Sequence, residues 1–288
     1  MPSLAGDTSR LAVVTDSTAS LPAGMAEYAR VTVVPLHVVL GRRTGVEGAQ
    51  VSPQDVAGAL RERRVDVSTS RPTPAEFAAA YRATGGALVL SVHLSAALSG
   101  TVDAARLAAR EVAGEGIDVR VLDARTIAMG LGFAVLAAAR VAQGGGGLDA
   151  AEAVAREAAG RTRLFFYVDT LEHLRKGGRI GTAAALLGTA LAVKPLLHVV
   201  DGAVVPLERV RTSARALARL EDHAVAAAGD TPVDVAVHHL AAPERAAQLA
   251  ERLRSRLPGL VALHVSEVGA VVGAHVGPGL VGVVVSPR

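Results

Sequence analysis

The sequence contains no cysteine. Disulfide bonds and thiolate metal sites are therefore excluded, and a reducing compartment is the simplest expectation. The start of the sequence, MPSLAGDTSR, lacks the basic flank and apolar run of a secretory signal peptide. We therefore expect a cytoplasmic protein.

Aromatic residues are scarce: the sequence has no Trp, three Tyr and four Phe. It therefore offers little material for stacking against nucleic-acid bases. The net charge of +3 is small for 288 residues, and the arginines are interspersed with acidic residues. These features do not indicate a nucleic-acid-binding protein.

Long uncharged runs are also rare, and the exception is residues 268–285. The run contains several glycines and Pro278, which suit a membrane-spanning helix poorly. We predict two buried strands joined by a loop in this stretch, with His275 in the loop.

Motifs for metals and nucleotides are missing as well. The nine histidines show no helical His-Glu-x-x-His spacing, and no glycine-rich segment ends in Gly-Lys-Ser or Gly-Lys-Thr. We expect neither a metal nor a nucleotide cofactor.

What is present is an α/β pattern. Hydrophobic residues make up 50% of the chain and charged residues 20%, which is a globular balance. The first half alternates Val- and Leu-rich runs with Ala-rich helical patterns, which predicts a largely parallel sheet flanked by helices. In the second half, Asp201-Gly202 between two apolar runs predicts a hairpin within a mixed sheet.

The chain length favours two domains. We predict an N-terminal α/β domain over residues 1–161 and a C-terminal mixed-sheet α/β domain over residues 162–288. Within the first domain we predict a helix from Ser20 to Arg30 and one continuous strand from Val31 to Leu40. A polar loop from Ser68 to Pro72 is predicted to precede a helix capped by Thr73.

Polar residues gather after several predicted strands, where ligands bind in open α/β sheets. Hydroxyl groups beside a helix N-terminus can hold an anion, although each Ser or Thr alone is typical of an ordinary helix cap. These loops are Thr15–Thr18, Thr69–Pro72, Leu98–Thr101, Lys176–Arg179 and His275–Gly279.

The loop Thr15–Thr18 could indicate a phosphotransfer nucleophile at Asp16. The haloacid-dehalogenase pattern requires a second Asp two residues after the first, and Thr18 occupies that position. We therefore predict that Asp16, with Ser17, orders the loop by binding neighbouring backbone amides. Taken alone, His275 is more often structural than catalytic.

Taken in order, the motifs resemble those of the DegV family over nearly the whole chain. Each motif is weak alone, but the ordered set is specific. The matching segments are Val14–Thr18, Thr69-Ser70-x-Pro72, Leu98–Thr101, Met129–Gly132, Asp169–Leu171, Lys176–Ile180, Val193–Pro195, Asp201-Gly202, Val210-Arg211 and His275-x-Gly277–Gly279.

The resemblance implies a binding protein without enzyme activity, which holds a long-chain fatty acid in a buried tunnel. It further implies that a separate ATP-dependent fatty acid kinase phosphorylates the carboxylate, and that the acyl phosphate feeds phospholipid synthesis. Transient contact with a membrane surface is compatible with this role.

The resemblance also assigns residues. It implies that Thr69, Ser99 and His275 bind the carboxylate, and that Arg179 and Arg211 contact the head group, the transferred phosphoryl group or the kinase. Arg71 replaces the glutamine common at that position, which adds a positive charge near the head group.

Two other readings remain open at this stage. One is a small-molecule α/β hydrolase or phosphotransferase that uses Asp16, Ser17 or His275. The other is a regulatory module that binds partners through the surface around Arg179 and Arg211.

Overall fold

The computed structural model describes residues 11–62, 65–186 and 194–288. The strands are β1 Leu11–Asp16, β2 Val31–Val34, β3 His37–Leu40, β4 Arg43–Val46, β5 Val67–Ser70, β6 Leu88–His93, β7 Asp118–Asp123, β8 Arg163–Tyr167, β9 Lys194–Val200, β10 Ala203–Val210, β11 Val233–His239, β12 Leu260–Glu267 and β13 Val281–Pro287. The helices are α1 Met25–Ala29, α2 Pro53–Glu62, α3 Pro74–Ala83, α4 Thr101–Ala113, α5 Met129–Gln143, α6 Leu148–Arg161, α7 Glu172–Lys176, α8 Ser213–Ala228, α9 Pro243–Arg256 and α10 Ala270–Val276. Short 3-10 turns lie at Ser17–Ala19 and Gly181–Leu186.

The first sheet has four parallel strands in the order β2-β1-β6-β7. Alternate residues of β1 face opposite sides: Val13 packs in the core beneath α5 and α6, and Val14 in the core beneath α3 and α4. This arrangement confirms the predicted parallel sheet with helices on both faces.

The second large sheet has six strands in the order β10-β9-β8-β13-β11-β12. It is mixed, because β11 and β12 are parallel whereas the other neighbours are antiparallel. One face packs against α8 and α9. The hairpin of β9 and β10 turns at Asp201-Gly202, as predicted, with both residues at positive φ. The α/β fold class is confirmed, and the boundary at residues 161 and 162 stays a prediction.

A third sheet, β4-β3-β5, has three antiparallel strands. Its presence corrects two predictions. The predicted single strand from Val31 to Leu40 is two strands in different sheets, broken around Pro35, which has no amide hydrogen for a continuous ladder. The predicted polar loop at Ser68 to Ser70 belongs to β5, where Thr69 pairs with Val38.

Two further predictions were wrong in their elements. The helix predicted from Ser20 to Arg30 covers only Met25–Ala29, and Gly24 precedes it at a φ of 77°. Residues 268–285 form a helix and a strand, α10 and β13, instead of two strands. His275 therefore lies in the last turn of α10. No helix in the described ranges has the length and apolar character needed to cross a bilayer.

Candidate functional site

A mostly apolar cavity lies between the six-stranded sheet, α10 and the loops after β1, β6 and β7. The cavity has a volume of about 110 Å³. The apolar lining comprises Leu36, Leu94, Leu98, Ile127, Ala128, Leu164, Phe166, Leu174, Val199, Val204, Val268, Val271, Val272, Val276, Leu280, Gly282, Val283 and Val284. The polar lining comprises Thr18, Thr69, Ser70, Arg71, Ser99, Arg179, His238 and His275.

Thr69 and His275 meet at one end of this cavity. Thr69 Oγ1 lies 2.8 Å from His275 Nε2, which joins β5 to α10 across 206 residues of sequence. Burial, and then the nearby charge of Arg179, lower the pKa of His275 to about 4. The imidazole is therefore neutral at physiological pH.

The other His275 nitrogen, Nδ1, faces Gly177. A Cβ on Gly177 would lie 2.2 Å from Nδ1, so the imidazole takes the space that any side chain at residue 177 would need. Nδ1 is buried and has no hydrogen-bond partner among the residues that the structure describes.

Ser99 lies just before α4, and its hydroxyl is 2.8 Å from that of Thr101. Ser99 is half-buried and Thr101 is buried. Ser99 lines the cavity from the parallel sheet and Thr69 lines it from the small sheet, whereas Thr101 is not part of the lining. The structure thus brings two of the separated loops to one cavity, and their role in binding stays a prediction.

Arg179 connects two of these loops. Its Nε donates to the carbonyl of Leu98 at 2.9 Å, and its Nη1 donates to the carbonyl of Gly177 at 2.5 Å. Arg179 therefore ties the residue before Ser99 to the residue that packs on His275. It lines the cavity, whereas Arg211 is exposed after β10 and is not part of the lining.

These contacts place the polar side chains at one end. Thr69 is hydrogen-bonded to His275, and the positive charge of Arg179 lowers the pKa of that histidine. Arg179 in turn donates to the carbonyl of Leu98, the residue before Ser99. Ser70 and Arg71 are exposed, so this end lies at the surface. We call the set Thr69, Ser70, Arg71, Ser99, Arg179 and His275 the polar mouth.

Asp16 is fully buried beneath the cavity wall and is not part of the lining. Its carboxylate accepts hydrogen bonds from the amides of Thr18 at 3.0 Å and Leu94 at 3.1 Å. It also bonds His93 Nδ1 at 2.9 Å. Asp16 thus binds backbone amides on both sides of the strand ends, in the manner expected of a residue that orders the loop.

Ser17 points elsewhere. Its hydroxyl donates to Glu47 and accepts from the amide of Leu36 at 3.0 Å. Asp16, Ser17 and His275 thus each bond other partners, and no hydrogen bond in the described ranges joins any two of them. These three residues therefore do not pair with one another as a nucleophile and its base.

Glu47 is a residue that the sequence analysis missed. It is 8% exposed, and its carboxylate accepts from the amide of Val271 at 2.7 Å in the first turn of α10. Burial raises the pKa of Glu47, and the hydrogen bonds from Ser17 and Val271 oppose that rise. In a sequence, an acid between Val46 and Gly48 looks like an ordinary surface turn residue.

His238 was also missed as a cavity residue. Its Nε2 accepts from the amide of Met129 at 3.2 Å, so the proton of the neutral ring lies on Nδ1 and points to Ser266 Oγ at 3.2 Å. Burial lowers the pKa of His238 to about 4. Both nitrogens are occupied, and only the carbon edge and face of the ring remain for the cavity.

Next to Met129, the backbone of Ala128 has a φ of 55° and a ψ of −147°, a region that favours glycine. Its amide donates to the carbonyl of Thr18 at 2.9 Å. Ala128 lines the cavity and is buried. The strained backbone is therefore held from two sides, by Thr18 and by the bond between Met129 and His238.

Among the described residues, no group of three or more His, Asp or Glu side chains is arranged to hold a metal ion. The fold and the cavity define an α/β protein with an enclosed apolar pocket that opens through a mouth of hydroxyls, one neutral histidine and two arginines. Such a pocket suits a ligand with a long apolar part and one polar end.

The family model described as "Uncharacterised protein, DegV family" matches residues 10–288, and the chain belongs to the DegV family. A DegV domain-containing protein of Streptomyces coelicolor is 57% identical over 281 residues, covering 96% of this chain and 99% of the relative. The family resemblance inferred from the motifs is thereby confirmed.

Two solved structures resemble the whole chain. One is a DegV family protein from Thermus thermophilus whose structure is described as showing fatty acid binding. It has a TM-score of 0.90 and 34% sequence identity, and the match covers 97% of this chain and 100% of that protein. DegV from Bacillus subtilis, described as a fatty acid binding protein, has a TM-score of 0.88 at 32% identity, with coverage of 97% and 99%. These structural neighbours bind fatty acids.

Proposed function

We propose that this protein binds a long-chain fatty acid, with the acyl tail in the apolar cavity and the carboxylate at Thr69, Ser99 and His275. The observation that carries the proposal is the bond between Thr69 and His275 at the polar mouth of an otherwise apolar cavity. The fatty acid binding described for the two solved relatives supports it.

The chemistry of the polar mouth suits a carboxylate. Because His275 is neutral, its Nε2 can carry the ring proton and donate it to Thr69 Oγ1, which leaves the Thr69 hydroxyl hydrogen for the ligand. When the Thr101 hydroxyl donates to Ser99 Oγ, the Ser99 hydroxyl keeps its own hydrogen for the ligand. Neutral donors of this kind hold the carboxylate without neutralising it.

The tail supplies most of the affinity in this proposal. Burying about fifteen methylenes at roughly 0.8 kcal/mol each would yield on the order of 12 kcal/mol before ordering costs. The head group then needs only a few satisfied hydrogen bonds. The Val-rich lining from α10 and β13 provides the apolar wall.

We further propose that the protein is not itself an enzyme and presents the carboxylate to a separate ATP-dependent kinase, which forms an acyl phosphate for phospholipid synthesis. Ser70 and Arg71, two residues of the polar mouth, are exposed, which would leave the head group within reach of a partner. The exposed Arg211 is the proposed contact for that partner or for the transferred phosphoryl group. The lack of a nucleotide-binding motif in the sequence favours an ATP site on a separate protein.

The test begins with the purified protein. Mass spectrometry of a denaturing organic extract should show a fatty acid at near equal stoichiometry, and a buffer-only extract should not release it. A protein that carries no lipid and takes up none on incubation with fatty acids would refute the proposal.

A second assay tests the division between carrier and kinase. The protein alone should not turn over ester or phosphate-ester substrates, whereas a fatty acid kinase from the same cell should form acyl phosphate only when the loaded protein is added. Ester hydrolysis by the protein alone would favour the hydrolase reading instead.

A further inference from the structure

Arg71 lies at the polar mouth against Gly100, which has no side chain to occupy that space. Its Nη1 lies 2.0 Å from the position that a Cβ on Gly100 would occupy, so the guanidinium rests directly on the Gly100 backbone. Gly100 directly follows Ser99 and precedes α4. The positive charge of Arg71 therefore lies beside Ser99, which is proposed to bind the carboxylate, although Arg71 itself is exposed.

Arg71 has no acidic partner among the residues that the structure describes. The cavity lining contains two arginines and no Asp or Glu. None of the ion pairs within residues 11–62, 65–186 and 194–288 includes Arg71. Arg179 is also unpaired with an acid there, because its Nε and Nη1 bind backbone carbonyls.

We infer that Arg71 is a specificity-determining residue that selects amphiphiles with an anionic head group over neutral ones such as fatty alcohols, esters and amides. The inference rests on the proposed function, because it concerns the head group of that same ligand. The hydroxyls of Thr69 and Ser99 donate to neutral and charged oxygens alike, so they discriminate weakly between an acid and an alcohol. A guanidinium favours the anion through charge.

The test compares hexadecanoic acid with hexadecanol as competitors for a fluorescent acyl probe, at about pH 8, where a free carboxyl group is ionised. For the wild-type protein the acid should bind more tightly than the alcohol. Arg71→Gln should lower this preference two- to fivefold, which is about the range of an exposed charge pair. Affinity for the alcohol should stay the same, and added salt should reduce the preference more in the wild-type protein than in Arg71→Gln, where Arg179 is the remaining arginine of the lining.

Two further variants separate charge from position. Arg71→Lys should retain part of the preference. Gly100→Ala keeps the arginine but places a methyl group where the Arg71 guanidinium lies. The backbone of Gly100 has a φ of −75°, which alanine can adopt. This variant should therefore lower the preference for the acid as Arg71→Gln does. The double variant should show no additional loss, because both changes remove one contact. Arg110→Gln, at an exposed arginine in the last turn of α4, serves as the matched control.

The outcomes separate the two proposals. If acid and alcohol both bind and their ratio is unchanged in Arg71→Gln and in Gly100→Ala, the inference is overturned while the lipid-binding proposal stands. If neither compound displaces the probe and the wild-type protein binds no acyl chain, the proposed function fails and the inference fails with it.

Discussion

The carboxylate of Glu47 accepts a hydrogen bond from the amide of Val271 at 2.7 Å, although 224 residues separate them in sequence. Glu47 directly follows β4, and Thr69 lies on β5 of the same small sheet. The sheet therefore holds α10 at both ends, by Glu47 in the first turn and by Thr69 at His275 in the last. The position of the imidazole depends on both contacts.

We expect Glu47→Ala to destabilise the protein by about 1–3 kcal/mol, because it leaves the buried amide of Val271 without an acceptor. It should also weaken acyl binding, since α10 loses its first attachment. Urea unfolding and acyl-probe titration would measure the two effects. Glu47→Gln retains one oxygen acceptor and should recover part of both losses.

A matched control is Glu27→Gln on α1, where the side chain is exposed. It should change neither property. Equal stability of Glu47→Ala and the wild-type protein would show that α10 does not need this attachment.

We expect Thr69→Ala combined with Ser99→Ala to weaken acyl binding at least tenfold, which corresponds to about 1.4 kcal/mol, because two hydroxyl donors are lost. Stability without ligand should fall by about 1 kcal/mol, because Thr69→Ala removes the bond to His275, whereas Ser99 is bonded to Thr101. Titration with the acyl probe would measure the affinity, and circular dichroism would check the fold.

Thr69→Ser and Thr44→Ala serve as controls for this pair. The first keeps the hydroxyl, and the second removes an exposed threonine from β4 in the same small sheet. Both should bind as the wild-type protein does. Normal binding by the double variant would place the carboxylate elsewhere.

Stability should fall between about pH 6.5 and pH 4 because of His238 and His275. Burial lowers the pKa of each to about 4 in the folded protein, so the unfolded chain binds protons in this range that the folded chain does not. Their contribution is fully present above the unfolded pKa of about 6.5 and is lost as the pH falls towards 4. Each can account for up to about 3 kcal/mol.

Urea unfolding at about pH 7.5 and pH 4.5 would measure this loss. His275→Gln should reduce the difference between the two conditions, whereas His264→Gln, on the edge strand β12, should not. Glu47 acts in the opposite sense, because its raised pKa removes stability as the pH rises from about 4.5. A histidine effect as large in His275→Gln as in the wild-type protein would contradict the prediction.

Ala128→Gly should leave the protein as stable as before or more stable by about 1 kcal/mol. The backbone strain at a φ of 55° is relieved, and this gain offsets the entropy that glycine loses on folding. Ala142→Gly, in the last turn of α5, should instead cost about 1 kcal/mol. Differential scanning calorimetry would show the opposite signs, and a loss of similar size at both sites would argue against strain at Ala128.

Much of the fold was predictable because local pattern and tertiary structure agree there. The alternation in β1, the capping of α3 by Thr73 and the Asp201-Gly202 turn all follow from side-chain chemistry within a few residues. The family motifs also pointed to Thr69, Ser99 and His275 as candidates; all three line one cavity, and their binding role stays a prediction.

The failures lie where distant contacts override local preference. Residues 270–276 include three Val residues, which favour a strand, yet Glu47 binds the first turn of the helix that they form, and Gly277 ends that helix at a φ of 77°. Glu47 and His238 were missed because their partners, Val271 and Met129, are 224 and 109 residues away. A single sequence carries no local signal for such pairs.

The cavity wall draws Leu94, Leu98 and Ile127 from the part of the chain that builds the parallel sheet, and Phe166 and Val283 from the six-stranded sheet. An acyl chain in that space would touch both sheets at once and would stabilise the folded state by mass action. The empty protein would then unfold more readily and be degraded faster in a cell. If the proposed function holds, the abundance of the protein would follow the supply of its acyl ligand.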